Sequence, residues 1–284
     1  MIFFVAIWAV ALNWLAYQKG FFKLPKRASS SIPIVSTGQL FGLFGLYVGL
    51  MVLFAPFLAR FILLSLHKAN PDIRELPISF ITGFQFFLML IIFVVLAGTL
   101  YKLNRGAFAK IWKNRTPPSN PVLLDFAIGI FAWLLSFPIV SVISEIVDKI
   151  LQSIFGLEYY EQTAVKFVKA AMSSPISLTF AILSVLVLAP LMEELLFRGL
   201  LQTYCKKRLG AKPAILISSL CFALFHFSSS QGLGNISLIL SLFILGGFLG
   251  LIYERQGSLW ASVGLHMTFN AVSALRIIIL PELL

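Results

Sequence analysis

Two adjacent glutamates, Glu193 and Glu194, interrupt an otherwise apolar stretch of the chain that reads LSVLVLAPLMEELLFRGLLQ. A carboxylate in hydrocarbon costs roughly 2.5 to 3.5 kcal/mol or more, so such side chains need either a partner or a chemical role. Residues four apart nearly eclipse on a helix, whereas neighbours diverge by about 100°. Arg198 therefore shares a face with Glu194, and the spacing predicts a structural ion pair between them.

Glu193 points away from that pair, which leaves it available as a general base. Pro190, three residues earlier, lacks the N–H of other helical residues and so frees a backbone carbonyl just before the two acids. The alternative interpretation is that both glutamates belong to one structural network of ion pairs near the membrane surface.

Two later apolar stretches carry the other polar groups that could do chemistry. His226 follows Phe222 by four residues, so the phenyl ring should cover the imidazole on one helix face. His266 and Asn270 also share a face, and an imidazole and a carboxamide together can donate hydrogen bonds to an oxyanion. Each feature alone has a structural explanation, either packing or hydrogen bonding between helices. Their occurrence in one half of the chain favours a single hydrolytic site.

The composition predicts the element that must carry these groups. Hydrophobic residues make up 59% of the 284, charged residues only 12%, and the mean hydropathy is +0.95. Continuously apolar runs rich in Leu and Phe predict helices rather than the alternating strands of a barrel. We therefore expect an all-α membrane protein with about eight transmembrane helices, over residues 1–17, 36–66, 78–101, 123–146, 176–204, 212–228, 236–253 and 258–279.

The distribution of positive charge predicts an orientation. Basic residues follow the first, third and fifth apolar runs: Lys19, Lys23, Lys26, Arg27, Lys102, Arg105, Lys110, Lys113, Arg115, Lys206, Lys207, Arg208 and Lys212. Short cytoplasmic loops hold the excess of Lys and Arg, so we expect these segments in the cytoplasm and both termini outside. The net charge of +11 is explained by this topology and by contact with anionic lipid, and it requires no nucleic acid.

Pro175 marks the best internal boundary. We expect residues 1–174 to form N-terminal transmembrane helices followed by an interfacial helix in the segment EYYEQTAVKFVKAAMSS, and residues 175–284 to form the catalytic core of four helices. An ordinary connecting helix is the alternative for that segment. The suspect polar groups all fall in the second unit.

The order and spacing of the polar residues resemble the three-motif signature of the CPBP family, the CAAX proteases and bacteriocin-processing enzymes, to which type II CAAX prenyl endopeptidases belong. The motifs here are Glu193-Glu194-x-x-x-Arg198, Phe222-x-x-x-His226 and His266-x-x-x-Asn270. The resemblance covers roughly residues 176–279.

This resemblance implies an intramembrane endopeptidase in which Glu193, with His226, activates a water molecule while His266 and Asn270 stabilise the oxyanion. Glu194 and Arg198 would position the first helix. The implied substrate is a peptide or membrane-associated protein, prenylated or not, and the expected location is a bacterial or archaeal plasma membrane. The positive charges after the Glu193 helix predict that the site lies toward the cytoplasmic half. A non-catalytic bacteriocin-immunity or scaffolding protein of the same fold is the alternative.

Metal dependence is open at this stage. Glu193, His226 and His266 are legitimate zinc ligands, but the compact H-E-x-x-H motif is absent, and a glutamate-activated water without metal needs the same atoms. We expect the metal-free version. A proton-coupled transporter predicts paired halves with broken helices, and the sequence has no such pairing. One tension remains: His226 is fourteen residues past Lys212, about 21 Å along a helix, which would place it deeper than Glu193.

Overall fold

The computed structural model describes residues 2–25, 35–70, 72, 75–113, 120–156 and 162–280. Lys26, Arg27, Arg115 and the first residues of the expected interfacial helix, 158–161, lie outside them. The described residues form ten longer helices, one turn of 3₁₀ helix at Ser229–Gln231 and one isolated backbone bridge, Lys113 to Ser258, without a strand. The helices are α1 (Ile2–Gln18), α2 (Thr37–Ala69), α3 (Ile78–Leu103), α4 (Arg105–Trp112), α5 (Val122–Phe155), α6 (Thr163–Ala171), α7 (Pro175–Leu209), α8 (Ala211–Leu224), α9 (Gly234–Gln256) and α10 (Leu259–Ile279). The all-α prediction is confirmed.

Each of the eight expected apolar runs is helical in the described part of the chain. Six helices, α2, α3, α5, α7, α9 and α10, are long and apolar enough to cross a membrane. Helices α1 and α8 are apolar but shorter. Helix α8 has 14 residues, about 21 Å, against a hydrocarbon thickness of about 30 Å.

The early end of α8 corrects one prediction. The sequence places His226 inside an apolar helix, but α8 ends at Leu224 and His226 lies in the turn that follows. The backbone N–H of His226 bonds the carbonyl of Ala223, a tighter spacing than an α-helix allows. The imidazole is therefore presented by a helix terminus.

Helix α7 is irregular on both sides of the glutamate pair. Two π-helical segments, Ser184–Leu188 and Leu195–Gln202, flank the regular turn that contains Glu193 and Glu194. In the first segment the N–H of Ala189 reaches back five residues to the carbonyl of Ser184. The next bond of that pattern would need an N–H on Pro190, so the π spacing stops there. Segments of this kind inside α-helices are frequent at functional sites.

Close backbone contact fixes α10 against α5. A Cβ added to Gly129 on α5 would overlap the carbonyl of Ala261, and one added to Gly264 on α10 would overlap that of Phe126. Small residues at helix crossings let the backbones approach each other in membrane proteins. The helix that carries His266 is therefore anchored to a helix of residues 1–174.

The segments predicted to be cytoplasmic lie at one end of the bundle, where polar contacts connect them. Tyr204, near the end of α7, lies with its hydroxyl 3.1 Å from that of Thr37 at the start of α2. Arg255, near the end of α9, donates to the carbonyls of Gly20 and Phe21, just past α1. The ion pairs Lys206–Glu254 and Lys113–Asp125 lie at the same helix ends. These contacts agree with the prediction that the basic segments lie on one side of the membrane.

Candidate active site

Glu194 and Arg198 form a fully buried ion pair one helical turn apart. The Arg198 Nη1 donates to Glu194 Oε1 at 2.9 Å, and both side chains have no exposed surface. Arg198 Nη2 also donates to the backbone carbonyl of Gly246 on α9 at 3.3 Å. The predicted ion pair is therefore present, and it connects α7 to α9.

Glu194 also orients His266. The Nδ1–H of His266 donates to Glu194 Oε1 at 2.9 Å, so that oxygen accepts from both a guanidinium and an imidazole. A carboxylate that holds one imidazole nitrogen fixes the ring's orientation and tautomer. The other nitrogen, Nε2, then faces Glu193 and lies 3.8 Å from its Oε2.

His226 approaches Glu193 from another side. Its Nδ1 lies 2.9 Å from the carbonyl oxygen of Phe222, and since a carbonyl only accepts, Nδ1 carries the proton in that bond. The free Nε2 is 3.7 Å from Glu193 Oε2. His226 is 31% exposed and Glu193 16%, so this side of the site is the more open one.

Phe222 packs against the three charged or titratable groups around it. Its ring lies 4.4 Å from the Arg198 guanidinium carbon, 4.9 Å from the centroid of His226 and 5.7 Å from that of His266. The ring is fully buried. The predicted cover over His226 is present, and the same ring also supports Arg198 by a cation–π contact.

The carboxamide of Asn270 is bonded to α7. Its Nδ2 donates to the carbonyl of Val185 at 2.9 Å. This is the carbonyl that the π spacing would pair with Pro190, five residues later, and Pro190 has no N–H. The freed carbonyl expected from Pro190 thus finds its donor on α10. The structure brings His266 to Glu193, while Asn270 contacts the helix that carries Glu193.

Sequence reasoning missed a residue that shapes the loop after His226. Asn235, at the start of α9 and nearly buried, accepts from the N–H of Ser228 at 2.9 Å and donates to its carbonyl at 2.7 Å. It also donates to the carbonyl of Gly232 at 2.9 Å. These bonds close the loop that begins two residues after the imidazole. An asparagine at a helix start is a common capping residue, so the sequence offered no signal that it supports a site.

The depth mismatch expected from residue counting disappears in the fold. Glu193 precedes Lys206 by thirteen residues, about 20 Å along a helix, and His226 follows Lys212 by about 21 Å. Since α7 and α8 run in opposite directions on either side of Gly210, similar lengths bring the two side chains to one level.

The side chains do not match a zinc site closely. Zinc bonds of about 2.0 to 2.1 Å separate tetrahedral ligand atoms by about 3.3 Å, whereas Glu193 Oε2 lies 3.7 and 3.8 Å from the two imidazole nitrogens. Within the described residues, no group of three or more His, Cys, Asp or Glu side chains is arranged to hold a metal ion. The proposed peptide hydrolysis therefore has no step on a metal.

Comparison with known proteins agrees with this geometry. Residues 175–272 match the model of the family described as type II CAAX prenyl endopeptidase Rce1-like, which is a protease family, and the resemblance predicted from the three motifs is confirmed over that segment. No curated protein and no solved structure matches the chain significantly. The match covers Glu193, Glu194, Arg198, Phe222, His226, His266 and Asn270.

Proposed function

We propose that this protein is an intramembrane endopeptidase that hydrolyses a peptide bond near the end of a membrane-associated protein or peptide. The match of residues 175–272 to the Rce1-like protease family supports this proposal at family level. The specific proposal depends on the surroundings of the Glu193 Oε2 atom. Glu193 Oε2 is buried and has no hydrogen-bond partner among the described residues, and two imidazole nitrogens lie 3.7 and 3.8 Å away.

Those separations suit a water molecule that donates one hydrogen bond to Glu193 and the other to an imidazole nitrogen. They are too long for direct hydrogen bonds, and polar groups at such distances are commonly bridged by water. In the proposed reaction Glu193, assisted by His226, takes a proton from this water as its oxygen attacks the scissile carbonyl carbon. The carbonyl π electrons move onto oxygen and give a tetrahedral oxyanion. The C–N bond then breaks, and the proton held by Glu193 passes to the leaving nitrogen.

The neighbouring groups support this division of roles. Glu194 accepts from both Arg198 and His266, so it acts as an anchor that holds one imidazole in place. Glu193 keeps an unpaired oxygen and partial exposure, which a base that meets substrate requires. We assign the reacting role to Glu193 and His226 and the positioning role to Glu194, Arg198 and Phe222.

The first experiment compares the purified protein in lipid vesicles with two glutamine variants. Glu193→Gln keeps the size of the side chain but removes the base, so peptide hydrolysis should fall by about 10² to 10⁴-fold. Glu145→Gln alters a half-exposed glutamate on α5 that pairs with Lys149 and should leave hydrolysis unchanged. Cleavage of a carboxyl-terminal peptide is followed by mass spectrometry, with S-prenylated and unmodified forms compared to define the substrate class.

The second experiment asks whether His226 acts through its imidazole. His226→Phe keeps a ring against Phe222 but removes Nε2, and hydrolysis should fall strongly while the melting temperature stays close to that of the parent. His67→Phe, at an exposed position near the end of α2, is the matched control. Unchanged hydrolysis in both Glu193→Gln and His226→Phe would contradict catalysis at this site, and a parent without any hydrolysis would favour the non-catalytic binding protein.

Chelation tests the metal-free mechanism separately. Because Glu193 Oε2 lies farther from both imidazole nitrogens than zinc would hold it, incubation with a strong chelator followed by its removal should leave the rate of hydrolysis unchanged. Loss of hydrolysis that zinc restores would contradict this expectation and assign Glu193, His226 and His266 as ligands.

A further inference from the structure

One wall of the site is formed by α2, which lies outside the residues 175–272 that match the family. Tyr47, on α2, is only 8% exposed, and its ring lies 5.7 Å from that of Phe225, the residue before His226. One turn earlier on the same helix, the ring of Phe44 contacts that of Phe197 on α7 at 5.5 Å. Helix α2 is thus packed against both chain segments that present the reacting groups.

Independent geometry places Tyr47 at the depth of Glu193. The hydroxyls of Thr37 and Tyr204 meet at 3.1 Å, and from that contact α2 and α7 run in opposite directions along the chain. Tyr47 is ten residues beyond Thr37, about 15 Å, and Glu193 is eleven residues before Tyr204, about 16 Å. The two side chains therefore lie at one level.

The hydroxyl of Tyr47 makes no hydrogen bond within the described part of the chain. It is therefore available to a group that enters the site. A phenol is both donor and acceptor, and beside a carboxylate that works as a base its useful contribution is the O–H.

The reaction needs such a donor. The Nδ1–H of His266 is held by Glu194, so this proton is not available to an oxyanion. One N–H of Asn270 is held by the Val185 carbonyl. Both donors predicted for the oxyanion are therefore partly committed to positioning. Removal of one donor to an oxyanion typically lowers kcat by about 10² to 10³-fold, so an additional O–H has a large effect.

We propose that the hydroxyl of Tyr47 donates a hydrogen bond to the carbonyl oxygen of the scissile peptide, and that this bond strengthens as the oxygen becomes an oxyanion. The proton remains on Tyr47 throughout, since the hydroxyl only donates. This inference rests on the proposed peptidase function and deepens it. It makes α2, in the N-terminal part of the chain, a direct contributor to the site.

The test removes one oxygen atom. Tyr47→Phe keeps the ring against Phe225, so the melting temperature should match the parent, while kcat should fall by about 10 to 10³-fold with little change in KM. Tyr204→Phe is the matched control, because it removes a hydroxyl from the same α2–α7 contact about 16 Å from Glu193. Its kcat should remain that of the parent.

A binding measurement separates a role on the substrate oxygen from a structural one. A peptide phosphinate carries a tetrahedral P–O⁻ in place of the oxyanion, whereas a reduced-amide peptide lacks that oxygen. Tyr47→Phe should weaken the phosphinate by about the factor lost in kcat/KM and leave the reduced-amide peptide unaffected. Equal weakening of both, or parent-like kcat and phosphinate affinity, would overturn the role of Tyr47. If the parent cleaves the peptide and Glu193→Gln does not, such a result for Tyr47→Phe contradicts only the role of Tyr47. If the parent never cleaves the peptide, both proposals are wrong.

Discussion

Glu193 and Glu194 are neighbours in the chain but have opposite environments. Glu194 is fully buried and accepts from Arg198 and His266, whereas Glu193 keeps an unpartnered oxygen beside two imidazole nitrogens. The divergence of about 100° between adjacent helical residues accounts for these different environments. The angular argument made from the sequence is confirmed for the pair of Glu194 with Arg198, and the reacting role of Glu193 stays a prediction.

The two glutamates should therefore respond differently to the same substitution. Glu194→Gln leaves the Arg198 guanidinium buried without its counter-charge, and breaking a buried pair costs about 3 to 5 kcal/mol of unfolding free energy. Glu193→Gln removes no such partner and should unfold close to the parent. Thermal unfolding in detergent followed by circular dichroism makes the comparison.

A double variant checks the cause of that loss. Glu194→Gln combined with Arg198→Met removes both charges, so it should regain most of the stability. It should not regain hydrolysis, because His266 no longer has the carboxylate that holds its Nδ1. Equal melting temperatures for Glu194→Gln and Glu193→Gln would contradict the anchoring role.

At the scale of elements, α7 and α10 are joined by a hydrogen bond at an irregular turn of α7. Pro190 ends the π spacing after Ser184–Leu188, and the carbonyl of Val185 takes its hydrogen bond from Asn270 instead. The sequence predicted that Pro190 would free a carbonyl, but the partner on a helix about eighty residues later could not be identified without the fold. The role expected for Asn270 at the oxyanion stays a prediction.

This account predicts coupling between two positions. Asn270→Ala leaves the Val185 carbonyl without a donor, which costs about 1 to 3 kcal/mol when the group is buried. In the Pro190→Ala background a backbone N–H becomes available five residues after Val185, so the additional loss from Asn270→Ala should be smaller. Unfolding of the four proteins as a double-mutant cycle measures the coupling, and strictly additive losses would refute it.

At the scale of the molecule, the site is held from both halves of the chain. Gly129 and Gly264 let α5 and α10 meet at their backbones, and α2 packs Phe44 and Tyr47 against the segments that carry Glu193 and His226. The division into residues 1–174 and 175–284 remains a prediction from the distribution of polar residues along the chain. It does not mark a gap in the packing, because α10 lies in extensive contact with α5.

The membrane orientation of the whole bundle is also open to test. The basic helix ends lie together, so we expect them in the cytoplasm, with the connection between α6 and α7 outside. In a background without Cys205 and Cys221, Lys207→Cys and Ser173→Cys introduce single thiols at exposed positions at the two ends. An impermeant maleimide should label Ser173→Cys in intact cells and Lys207→Cys only after permeabilisation. The reverse pattern would invert the topology.

The sequence by itself determined the membrane class, the positions of the apolar helices, the ion pair of Glu194 with Arg198 and the cover of Phe222 over His226. These depend on hydropathy and on the i to i+4 spacing of a helix, which are local properties. The tertiary structure alone decided that α8 ends before His226, that Asn270 bonds Val185, that Asn235 closes the following loop and that Tyr47 stands beside the site. The contacts of Asn270 and Tyr47 join residues far apart in the chain, and those of Asn235 and of the end of α8 are irregular turns. Helical periodicity encodes neither kind of contact.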